Sequence, residues 1–303
     1  METKYVLLTF TSHDQILKMG CGEVLKINSL DGFIAPPYTI HTQSNATEDG
    51  TTETGSKVDE RVLKIEFTID NLLNPEFVRR KLMQFFNPKY EMKLTANYMY
   101  LSRWITGKVS GFKVANPDAS MYDYQKYVLE ILCTDPFWNS PDNYGKNIAS
   151  ITKMWSYPLT FVTFNNNSNY KTKSQLAGYR TLSRDVLLSN TGDVPTGLMI
   201  KFTAKRGAVL NPKITLVDTG DFIEIIHEME MGDTILVNTV TGKKAITLIK
   251  AGSKQSENIF KEKNKLSTFF QLELGDNWIQ YDAEEGYTNL DVRVYYTPQY
   301  LGV

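Results

Sequence analysis

The chain has 303 residues, with 33 Lys plus Arg against 34 Asp plus Glu and a formal net charge of −1. That length exceeds the usual span of one hydrophobic core, so two domains are the default. The balanced charge offers no global field toward nucleic acid or an anionic membrane, and the longest apolar runs, such as Val6 to Phe10 and Phe222 to Ile226, fall far short of a membrane helix.

Val6, Leu8 and Phe10 alternate with Leu7 and Thr9 in an opening strand, and β-rich runs follow at Val24 to Ile27, Arg61 to Ile69, Glu91 to Leu94 and Ile105 to Val114. One helix is predicted between them. Asn74 is its N-cap, Pro75 its first residue, Glu76 suits the positive end of the dipole, and Asn87-Pro88 closes it. Phe77, Val78, Leu82, Phe85 and Phe86 are assigned to a sheet-packing face, with Arg79, Arg80 and Gln84 opposite. The run Thr42 to Lys57 holds no apolar residue beyond Ala46 and is expected to be a long flexible loop. After the strand Tyr127 to Cys133, two prolines punctuate Thr134 to Asp142 and mark a domain boundary, giving domains of residues 1–138 and 139–303.

The second half reads as almost wholly β. Strands are predicted at Leu159 to Phe164, Asp185 to Ser189, Leu198 to Ala204, Ile214 to Asp218, Phe222 to Ile226, Thr234 to Asn238, Lys244 to Ile249, Phe269 to Glu273, Trp278 to Tyr281 and Leu290 to Tyr296. Short strands at near-regular spacing, with turns such as Thr219-Gly220-Asp221 and Met231-Gly232-Asp233, imply a β-sandwich.

Residues able to carry chemistry are sparse. His13, His41 and His227 stand apart, and His227-Glu228-Met229-Glu230 lacks the second histidine of a zinc-protease helix because Met231 occupies that position. His227 is read as a strand-end residue. The acid pairs Asp59-Glu60 and Glu284-Glu285 point apart in strands or turns, whereas a glycosidase needs two carboxyls facing each other across a cleft. Phosphate-cradling glycine motifs and a nucleophile elbow are missing, so no catalytic, cofactor-binding or metal-binding residue is assigned. Lys254, Lys261, Lys263 and Lys265 are interrupted by Glu257 and Glu262 and read as a solvated loop. Cys21 and Cys133 lack CxxC spacing and read as reduced core thiols, a disulfide being the lesser alternative. The opening Met-Glu-Thr-Lys-Tyr carries no leader-like apolar stretch, so synthesis in a cytoplasm is expected. The 17 tyrosines are mostly core, with Tyr295, Tyr296 and Tyr300 the better interface candidates.

Leu129 to Trp138 (LEILCTDPFW) resembles the strand and Asp-Pro-Phe-Trp punctuation that close the N-terminal domain of siphophage distal tail proteins. Asp31 to Pro37 (DGFIAPP), Asp59 to Phe67 (DERVLKIEF), the Asn74 helix and Arg103 to Val109 (RWITGKV) resemble the same domain in order. Tyr157 to Thr160, Asn190 to Gly197, Gly232 to Ile235 and Leu274 to Asn277 resemble its second domain. The resemblance implies a mainly β protein with one helix: a tube-like β-domain (split barrel or sandwich plus α-helix) followed by a galectin-like β-sandwich. It implies a homo-hexameric ring closed by residues 1–138, with residues 139–303 as a docking platform. The implied partners are the tail tube protein, the tail-associated protein and receptor-binding proteins, with no nucleic acid and no membrane. The implied place is the distal tail or baseplate of the virion, without catalysis. Sugar-binding galectins use a His/Asn/Arg and Trp/Glu/Arg constellation that is missing here. An adhesion module binding cell-wall carbohydrate, with Trp278 or Tyr281 as stacking platform, is the alternative, and a glycoside hydrolase the third reading.

Overall fold

In the computed structural model the alternation of apolar and polar residues becomes antiparallel sheet, described for residues 5–44, 49–69, 75–115, 125–142, 144–147, 151–153, 178–180 and 184–303. The expected N-cap Asn74 and the strand Leu159 to Phe164 lie outside the described residues. The chain divides into two units: Met1–Asp142 with Gly192–Val194 and Pro298–Val303, and Asn143–Thr191 with Pro195–Thr297.

Unit 1 opens with β1 (Val6–Ser12) and β2 (Gln15–Gly20). They are joined by His13 and Asp14, both at positive φ (47° and 60°), as a two-residue turn that matches strand twist requires. Then come β3 (Leu25–Asp31), β4 (Tyr38–Gln43), β5 (Thr52–Val58), β6 (Arg61–Ile69), α1 (Pro75–Phe85), β7 (Glu91–Tyr98), β8 (Leu101–Val114), β9 (Lys126–Cys133) and β10 (Trp138–Asn139). The main sheet runs β2-β1-β7-β8-β9-β6-β3; β10 pairs with β8 and also with the strand Gln299–Tyr300.

Leu63, Ile65, Phe67 and Ile69 of β6 share the buried face with Val6, Leu8 and Phe10 of β1, as period two demands. Leu82 and Phe86 of the helical segment complete that core, Phe86 meeting Phe10 edge-on at 5.6 Å between ring centroids. Phe77 departs from the expected face. It is 58 % exposed, because the buried stripe runs Val78, Leu82, Phe85 and Phe86, while Phe77 shares its own stripe with Lys81, whose ammonium lies 4.4 Å from the ring centroid.

The polar run Thr42 to Lys57 is also different from expectation. Much of it is strand: β4 and β5 pair with each other from Tyr38↔Val58 to Gln43↔Thr52, with a register shift between His41 and Thr42. Backbone pairing needs no apolar side chain, and the β-branched Thr39, Thr42, Thr52 and Thr54 fit extended backbone. These two strands form a sheet of their own, an arm.

Unit 2 contains β11 (Tyr144–Asn147), β12 (Ile151–Lys153), β13 (Gly178–Arg180), β14 (Asp185–Asn190), β15 (Leu198–Ala204), β16 (Val209–Leu216), β17 (Phe222–Glu224) and β18 (Glu228–Met229). It continues with β19 (Thr234–Asn238), β20 (Ala245–Ile249), β21 (Ser256–Asn258), β22 (Gly275–Glu285) and β23 (Leu290–Tyr296). A sheet ordered β11-β23-β15-β19-β20-β21 and one ordered β14-β22-β16-β17, with β18 on β16, enclose a common core. Ile200 and Phe202 from the first meet Ile214, Ile279 and Tyr281 from the second. Phe269 to Glu273 is not a strand. It forms only an isolated bridge, Thr196↔Leu272, while Phe270 and Leu272 still point into the core. The protein is thus mainly β, with α1 its single α-helix among the described residues.

Candidate functional site

The described residues bring no catalytic constellation together. His13 lies edge-on to Tyr90 at 4.0 Å between ring centroids, His41 sits on the arm, and His227 places Nδ1 2.6 Å from the Glu262 carboxylate. No group of three or more metal-binding side chains occurs among them, and none of the described helices is long and apolar enough to cross a membrane. Asp59 closes the base of the arm, accepting from the Thr39 hydroxyl and pairing with Lys57 at 3.1 Å; the Thr39 bond and then Lys57 hold its carboxyl below the usual range. Glu284 accepts from the Asn211 amide at 2.6 Å, a surface contact across neighbouring strands.

Three residues expected elsewhere are relocated. Cys133 is in the core as expected, where burial pushes its thiol up to about 12, but Cys21 is exposed, in the turn after β2, where its N–H bonds Val6 O at 3.0 Å. Tyr296 is a core residue rather than an interface one: it is 5 % exposed and its hydroxyl donates to Ser189 O at 2.9 Å. Tyr281, named as a stacking platform, is also buried, whereas Trp278 is 47 % exposed on the outer face of β22.

What unit 1 does present is a set of surfaces suited to other polypeptides. The arm exposes Tyr38 (70 %) and Ile40 (51 %) on a two-stranded ribbon, a form that is marginal in water unless something packs on it. Between the β1–β2 hairpin and α1 lies a groove of about 940 Å³, lined by Ile16, Leu17, Phe77, Val78, Lys81 and Tyr90 among others. Ile16, at 65 % exposure, stands at its rim.

A third feature is a buried charge. Arg61 falls on the inward face of β6 and is fully buried; its Nη1 donates to Gly32 O at 3.1 Å and its Nη2 to Leu301 O. Nε has no hydrogen-bond partner among the described residues, and desolvation pushes the guanidinium down to about 10. Strict alternation from Leu63 back along β6 puts Arg61 inside.

Two family models match the chain, one within each half. Residues 21–133 match the phage tail protein RIFT-related domain, and residues 191–300 match the C-terminal domain of the siphovirus-type tail component. The chain belongs to the siphophage distal tail protein family. A structural role in the distal tail or baseplate follows from that membership, and both matched families are structural tail proteins. Among solved structures, the distal tail protein resembles the Dit protein of phage SPP1, described as a paradigm of the hub adsorption apparatus of phages infecting Gram-positive bacteria. Identity is 13 %, the TM-score is 0.66, and the match covers 97 % of this chain and 99 % of that one. A chain of the phage P2 baseplate in its activated, Ca-containing conformation matches at 11 % identity and a TM-score of 0.51, over 97 % and 98 % of the two chains. At such identities the likeness carries the fold. No curated protein matches the distal tail protein by sequence search.

Proposed function

We propose that this distal tail protein forms a hexameric ring joining the tail tube to the tail-associated and receptor-binding proteins of the tail tip. Residues 1–138 are assigned to ring closure and residues 139–303, a galectin-like sandwich, to docking. The reading rests on one observation above others: two tail-component models match in tandem, the first within unit 1 and the second mostly within unit 2. The arm and the α1 groove support it, because both leave apolar surface that a neighbouring subunit or ring would cover. Asp49 and Glu53, exposed on the arm, give the arm contact an acidic character that added salt would weaken. Light scattering of the purified chain should give the mass of six copies, and electron microscopy should show rings. A monomer at every concentration tried would sink the ring reading.

Glycan binding by the sandwich is a second reading, favoured only by the exposed Trp278. A glycan array probed with the intact protein and with Trp278→Ala separates the two: the docking reading expects no glycan signal that the substitution removes.

A further inference from the structure

The segment Pro298–Val303 belongs to unit 1, although all of β11 to β23 precedes it in the chain. Its backbone is met at almost every position. Pro298 O accepts from Ser140 N–H at 3.0 Å, Gln299 O from Asp193 N–H at 2.8 Å, and Val303 N–H donates to Phe33 O at 3.1 Å. Leu301 N–H donates to the Asp193 carboxylate at 3.0 Å, Leu301 O accepts from Arg61, and Gly302 O accepts from Arg103.

Two positions add sequence selectivity. The Tyr300 ring lies under the Arg103 guanidinium carbon at 3.7 Å, and a Cβ on Gly302 would stand 1.8 Å from Ile34 O, a backbone atom that cannot turn aside. From the other side, the segment answers a need of unit 1. A fully buried guanidinium with an empty Nε cannot lose one of its two carbonyl acceptors without a large desolvation penalty, and Leu301 O is one of the two.

We propose that Gly32–Ile34, Arg61, Arg103, Trp138–Ser140 and Asp193 form a peptide-binding slot whose occupant is Pro298–Val303 of the same chain, and that filling the slot makes unit 1 competent to self-associate. The slot reads an extended backbone, an aromatic ring and a glycine two residues later. Because the occupant is synthesised after unit 2, a chain interrupted within unit 2 carries an open slot and stays out of the assembly. This second step rests on the ring reading; the slot itself does not.

Hydrogen exchange on the full chain and on Gly302→Ala tests the slot without truncation. In the variant, exchange at Ser140 and Asp193, whose N–H groups donate to Pro298 O and Gln299 O, should accelerate about tenfold, as loss of such a hydrogen bond implies, while β15 and β19 keep their protection. Unchanged exchange at those positions overturns the slot. A chain ending at Thr297 should show the same opening and remain monomeric, and a synthetic peptide of sequence PQYLGV in large excess should reverse both effects, whereas PQYLAV should not. If that chain opens its slot yet assembles at the concentration the full chain needs, the assembly step is wrong. If the full chain never assembles either, the ring reading and this assembly step both fail, and the exchange contrast still decides the slot.

Discussion

The two units bury polar groups in opposite ways. In unit 2 three inward polar side chains are short and answered by backbone close by: Asp233 takes the N–H groups of Glu230 at 3.0 Å and Ala251 at 2.8 Å, and Asn277 takes Glu273 N–H at 3.0 Å while donating to Glu273 O and Gly275 O at 2.9 Å each. Thr239 likewise accepts from Leu198 N–H at 2.8 Å. Each ties a loop to the strand beside it, so the polar group and its partners are near in sequence or adjacent across a sheet. Unit 1 buries Arg61, a charge whose acceptor Leu301 O lies 240 residues away. The difference teaches where each unit gets its last increment of order: unit 2 from local staples, unit 1 from a distant segment that must arrive before its charge is satisfied.

Removing each unit's polar anchor is the hardest way to break that comparison. Arg61→Ala should destabilise unit 1 by about 3–5 kcal/mol, since it empties a large buried volume and frees the carbonyls of Gly32 and Leu301. Asp233→Ala should lower unit 2 by about 1–3 kcal/mol, the penalty of two N–H groups left without acceptors. Exchange protection resolved by unit reads both, and equal losses in both units after Arg61→Ala would show that the units do not divide their stability as described.

Alkaline titration sharpens the same contrast from a smaller side. Cys133 is buried in unit 1 with its thiol pushed up to about 12 from 9.0, mainly by desolvation. Between those values the unfolded chain releases the proton and the folded one keeps it, so the contribution is intact below pH 9 and lost as pH rises toward 12, at up to roughly 1.4 kcal/mol per pH unit. Unit 1 should therefore weaken between about pH 9 and 10, above which the depressed Arg61, losing its proton in the folded chain first, offsets the decline; Cys133→Ala should remove the loss between pH 9 and 10. At pH 8 a thiol reagent should label the exposed Cys21 and spare Cys133 until unit 1 opens. Prompt labelling of both would place Cys133 outside the core.

Much of this architecture was legible from alternation alone. Arg61 to Ile69, Leu198 to Ala204 and Thr234 to Asn238 read as strands and are strands, because one face of each is more buried than the other, and Leu290 to Tyr296 is a strand as its β-branched run implies. The misses have physical reasons. The β1–β2 hairpin turns on His13-Asp14, which takes positive φ without the usual Asn-Gly. Phe269 to Glu273 has strand-like residues that fill the core from an irregular backbone. The arm pairs through backbone with little apolar content, and the partnership of Arg61 with Leu301 is a long-range contact with no local trace. Among the candidate surfaces, the arm reads in sequence as a polar loop, because its strands pair through backbone and leave no apolar period.

The smallest expected effect on stability, and the largest on assembly, belongs to that arm. Beyond its base, where Thr39 and Lys57 meet Asp59, its described side chains are mostly exposed and its strands join no other sheet. Surface segments without buried contacts usually change stability by no more than about 0.5 kcal/mol. Joining Ile40 to Ser56 through Asn-Gly keeps the pairs Tyr38↔Val58 and Thr39↔Lys57 and the Asp59 contacts, so unit 1 should retain its exchange protection. The exposed Tyr38 and Ile40 would then lose the ribbon that extends beyond them toward a neighbour, and the acids Asp49 and Glu53 would be removed with it. Rings should still form, while phage complemented with the shortened chain should fail to join tube and tip. Normal assembly and infection with that chain would reduce the arm to a tolerated insertion, and the contact that carries the distal tail protein onto its neighbours would have to be sought at the α1 groove, where Phe77→Ser and Ile16→Ser would become the decisive substitutions.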